Sequence, residues 1–82
     1  MSAAMLAVAR AEALFVAAVS ATGPLSRAEA ASAIRVAVRA CGGVRGCAEV
    51  VAAEFGDHPD TAVARMRWAR ATVAALFGSG GA

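Results

Sequence analysis

The chain has 82 residues, a net charge of +2 and a composition that is 60% hydrophobic, much of it alanine. That length holds one domain with one small core, and so modest a charge gives no signal of a polyanionic partner by itself. Two cysteines are too few for a secreted disulfide scaffold, and no apolar run reaches the roughly 20 residues of a membrane span. The sequence therefore predicts an all-α domain over 1–82, a cytoplasmic four-helix bundle with short connections.

Helix one is expected over about 5–21. Met5, Val8, Phe15, Val16 and Val19 share one side of a helical wheel, with Glu12 in the middle of that stripe. Leu6 and Leu14 lie toward the other side, so this helix reads as a central one, apolar nearly all round. Arg10 and Glu12 interrupt any likeness to a signal sequence. Gly23-Pro24 is the expected stop. Helix two is expected over 27–41: Ser26 and Glu29 form a capping box, and Ala30, Ile34, Ala37, Val38 and Cys41 recur at helical steps. Gly42-Gly43 supplies a left-handed stop.

Helix three is expected over 46–55, ended by Gly56, with Asp57, His58 and Pro59 in the following turn. Helix four is expected over 59–77, with Pro59 in its first turn and Asp60 at the positive end of its dipole. Val63, Met66, Val73, Leu76 and Phe77 form its core stripe. A flexible tail is expected over 78–82.

The second face of helix four is the candidate interaction surface: Ala64, Arg65, Arg67, Trp68, Ala71 and Thr72. No acid follows Asp60, whereas Arg65, Arg67 and Arg70 do. Small residues allow close approach, and tryptophan and arginine dominate many interfaces. A homodimer or another protein is the expected partner, with no membrane contact.

CAEVVAAEFGDHPDTAVARMRWAR, residues 47–70, resembles the helix-turn-helix of the C-terminal promoter-reading region of sigma factors. Gly56, Thr61, Ala64, Arg65, Met66, Ala69 and Arg70 carry the likeness. It implies DNA contact by Thr61, Ala64 and Arg65, and hence the alternative function of a small DNA-binding regulator. Asp57 and Asp60 place negative charge where phosphates would approach, which ranks that alternative second. The whole chain also resembles small uncharacterised actinobacterial proteins, a likeness that implies no function.

Glu12, amid apolar neighbours, is expected to form a buried ion pair, with Arg70 or Arg35 as partner. Cys41 and Cys47 flank the Gly42-Gly43 turn as a candidate redox pair. With His58 and Asp57 they could make four zinc ligands, but five residues separate the cysteines, so no metal is expected. The glycine pairs lack a phosphate-loop context. No cofactor and no catalytic residue are assigned, and an enzyme is not expected.

Overall fold

The computed structural model describes residues 1–78. The chain forms α1 (Ala3–Val16), α2 (Arg27–Ala40), α3 (Val44–Asp57) and α4 (Pro59–Phe77), and no strand occurs among the described residues. The all-α four-helix architecture anticipated from periodicity is the one observed. The expected tail lies outside the described residues except for Gly78, which follows α4 at φ 81°. No helix among the described residues is long and apolar enough to cross a membrane.

The first helix packs against the other three. Its second half supplies the centre of the core, with Ala11, Ala13, Leu14 and Phe15 buried. Ala37 from α2, Cys47 and Val51 from α3, and Ala62, Ala69 and Val73 from α4 close around it. Leu14 and Cys47 are the largest side chains fully removed from water. Alanine elsewhere in the interior lets helix backbones approach closely while burying little area per residue. The radius of gyration, 11.8 Å, is near the roughly 12 Å of a compact domain this long.

Helix termini follow the sequence signals unevenly. At the start of α2 the Ser26 amide donates to Glu29 Oε1 at 2.8 Å and the Glu29 amide donates to Ser26 Oγ at 3.0 Å. At its end Gly42 and Gly43 adopt φ 78° and 129°, and their amides donate to the Arg39 and Val38 carbonyls at 3.2 and 2.8 Å. Some boundaries depart from expectation: α1 begins at Ala3, two residues early, with the Met5 amide donating to Ser2 Oγ at 3.1 Å. The first helix stops at Val16, well before Gly23-Pro24, because Ala17 turns extended at ψ 148°. Beyond it, the Thr22 amide bonds Ser20 Oγ at 3.2 Å, a local hydroxyl contact that competes with helix. The third helix begins at Val44 and runs through Gly56 to Asp57. His58 alone, at φ −138° and ψ 63°, separates it from α4.

The apolar stripes are also redistributed. Met5 and Val8 are 60% and 57% exposed, and Val63 is 40% exposed. Of the stripe expected on helix one, only Phe15 and Val16, with Val19 beyond the end of α1, pack into the core region. The α2 pattern holds: Ala30 and Ala37 are buried, with Ile34, Val38 and Cys41 half-buried beside the core.

Candidate functional site

The second face of α4 is divided by the fold. Arg65 turns inward. Its Nε donates to the Phe15 carbonyl at 2.9 Å, and its Nη2 donates to the carbonyls of Ala17 at 2.8 Å and Leu14 at 3.5 Å. These are carbonyls at the end of α1, which has no basic residue in its last turn. The forked guanidinium thus caps α1 from a different helix. Burial pulls the Arg65 pKa below the usual arginine range, and the three carbonyl contacts offset that loss of hydration.

Trp68 lies under the same group, its ring 4.5 Å from the Arg65 guanidinium carbon. The indole is half-buried and packed against the core. Trp68 thus packs inward rather than standing clear of the fold, stacked on Arg65, whose carbonyl contacts latch α4 to the end of α1. Of the remaining surface residues, Ala64, Arg67 and Ala71 are exposed and Thr72 is half-buried. Of the three residues assigned to DNA contact, Ala64 and Thr61 are exposed, but Thr61 Oγ1 donates to the His58 carbonyl at 3.1 Å. Arg65 has its Nε and one Nη donor group engaged in the fold.

A second guanidinium arrangement closes the other end. Phe77, in the last turn of α4, has the Arg10 guanidinium carbon 4.5 Å and that of Arg27 5.3 Å from its ring centroid. Cation–π contacts of this kind hold α4 to α1 and to the start of α2.

Glu12 and Arg70 come to one place without forming the expected buried pair. Glu12 is half-buried and Arg70 is exposed, and no charged side chain is fully buried among the described residues. Both line a cleft of about 500 Å³ between α1 and α4, with Ala4, Val8, Met66 and Val73 among its apolar walls. Glu12 and Val8 also line a shallower groove of about 330 Å³ on the other flank of α1, beside Met1, Met5 and Val44. The exposed ridge of α1 thus carries apolar side chains between two concave flanks, with one acid at its centre and one base on the wall. Sequence periodicity marked Met5, Val8 and Glu12 as one stripe, but placed that stripe inside.

Comparison of the chain with family models, with curated proteins and with solved structures returned no match.

The cysteines lie together at the α2–α3 corner, Cys41 half-buried and Cys47 buried, both as free thiols. Cys47 Sγ donates to the Ala37 carbonyl at 3.6 Å, the same oxygen that accepts the Cys41 amide at 2.9 Å. Burial first, then the neighbouring Cys41 thiol and the negative charge of Glu12, push the Cys47 thiol up to about 12. No cluster of three or more metal-ligating side chains occurs among the described residues.

Proposed function

We propose that the chain is a small, non-catalytic helical interaction protein that associates with a second copy of itself through the exposed ridge of α1 and the adjoining cleft. The observation that carries this is the exposure of Met5 and Val8, 60% and 57%, beside a cleft walled by Glu12 and Arg70. Burying two such side chains fully contributes about 1.5–3 kcal/mol each. A patch with one acid and one base is complementary to its own copy about a two-fold axis, where Glu12 of each protomer faces Arg70 of the other. The docking surface is thus assigned to α1 rather than to the Trp68 face of α4, whose principal anchors already serve the fold.

Multi-angle light scattering across a concentration series tests this. A dimer is expected to form with rising concentration, and Val8→Asp should remain monomeric while keeping its helical circular dichroism. Glu12→Arg and Arg70→Glu should each weaken association, and the double exchange should restore it. A wild-type chain that stays monomeric at about 100 μM, where even weak specific dimers populate, overturns the proposal.

A small DNA-binding regulator is the second reading. It is favoured by exposed Arg67 and Arg70 on a helix with no acid after Asp60. It requires binding to duplex DNA that weakens steeply with salt and is reduced by Arg67→Ala. Absence of binding at about 50 mM salt removes it.

A further inference from the structure

We propose that Cys41 and Cys47 are a peroxide-oxidisable dithiol, in which Cys41 is attacked first and Cys47 resolves it to an intrachain disulfide. The geometry at the α2–α3 corner supports it. Gly42 and Gly43, both at positive φ, fold the end of α2 back onto the start of α3. The backbone at Gly46 then lies so close to Cys41 that an added Cβ would collide with the Cys41 carbonyl oxygen and stand 3.2 Å from the Cys41 Cβ. Cys47 is the next residue, and its thiol reaches the Ala37 carbonyl that also binds the Cys41 amide. A bridge requires the two Cα atoms within about 7 Å with Cβ vectors that converge. The absent side chain at Gly46 is what lets the start of α3 come this close to the Cys41 backbone.

Access divides the roles. Cys41 is half-buried and meets solvent, whereas Cys47 is sealed in the core. The Cys41 sulfur attacks a peroxide oxygen, the O–O bond breaks, and Cys41 becomes a sulfenic acid with release of one water. The Cys47 sulfur then displaces the sulfenic hydroxyl; the Cys47 proton leaves with that hydroxyl as a second water. Two thiols lose two electrons in total, and one peroxide gains them.

The test treats the intact chain with hydrogen peroxide and follows it by mass spectrometry, with a 1,3-dicarbonyl probe that traps sulfenic acid. The wild type is expected to lose two hydrogens in mass, to stay a single chain and to recover on addition of dithiothreitol. Cys47→Ser should accumulate trapped sulfenic acid at Cys41, and Cys41→Ser should show little trapping. Because Cys47→Ser places a hydroxyl in the core, Cys47→Ala is run beside it, with the same trapping expected. Oxidation of the wild type straight to sulfinic acid, or linkage only between chains, would overturn the proposal, as would preferential trapping at Cys47.

Discussion

Arg65 shows how far a single side chain can be from the role its sequence neighbourhood suggests. On a helix rich in arginine, its position beside Trp68 reads as an outer face. In the fold its forked donors bind carbonyls 48 to 51 positions earlier in the chain. A clue lay in α1, whose end has neither a glycine nor a basic residue to satisfy its last carbonyls. Nothing local named the donor that would meet them. Hydrogen bonds to charged groups contribute about 1.5–3 kcal/mol, so Arg65→Ala should lower stability in urea by about that amount. Arg65→Lys should recover only part of it, since a lysine lacks the planar fork. Gly46 is a second site of this kind. Gly46→Ala should destabilise the chain by about 1–3 kcal/mol through overpacking against the Cys41 carbonyl. Thermal unfolding should then show the midpoint falling by about 4–8 °C for each kcal/mol.

At the scale of the element, local signals served best where a side chain acts within its own turn. Ser26 and Glu29 specified the start of α2, and Gly42-Gly43 specified its end. The capping box lowers the Glu29 pKa, first through the Ser26 amide and then through its hydroxyl. Its contribution is thus complete above the ordinary glutamate range and fades as pH falls through the lowered folded value. Ser26→Ala should cost about 1 kcal/mol at neutral pH, and acid titration of the two proteins by circular dichroism should show that difference shrinking. Signals failed where a boundary depends on a distant partner. The end of α1 at Val16 coincides with capping by α4, and α3 passes through Gly56, a residue that weakens a helix without stopping it. Helical wheels grouped Met5, Val8, Phe15, Val16 and Val19 on one side, whereas the fold splits them: Phe15 is buried and Met5 and Val8 are exposed. Met5 and Val8 lie where the partner helices leave α1 uncovered, with Glu12 half-buried one turn on.

For the whole molecule, periodicity and turn chemistry were enough for four helices, because short connections leave few alternatives. Which helical faces pair depends on contacts between residues far apart in sequence, and the candidate cleft was invisible for that reason. Cys47, in the interior, couples folding to alkaline pH. Cys47 is held neutral, its pKa raised to about 12. An unfolded thiol ionises near 8.5, so the stability this group contributes is fully present below that point. It declines as pH rises from there toward the folded value. Urea midpoints measured across this interval should fall more steeply for the wild type than for Cys47→Ala.

The alanine interior has a consequence for how this architecture could diversify. Ala13, Ala30 and Ala69 are wholly enclosed, and Ala62 and Ala37 nearly so, at 2% and 4% exposure. A methyl group at such places acts as a spacer, and anything broader must force two helical axes apart. Large aliphatic positions elsewhere can exchange for one another at little cost. Descendants of this chain would therefore keep a fixed rhythm of tiny side chains while their bulkier ones drift, and shared ancestry would be written in what stays small.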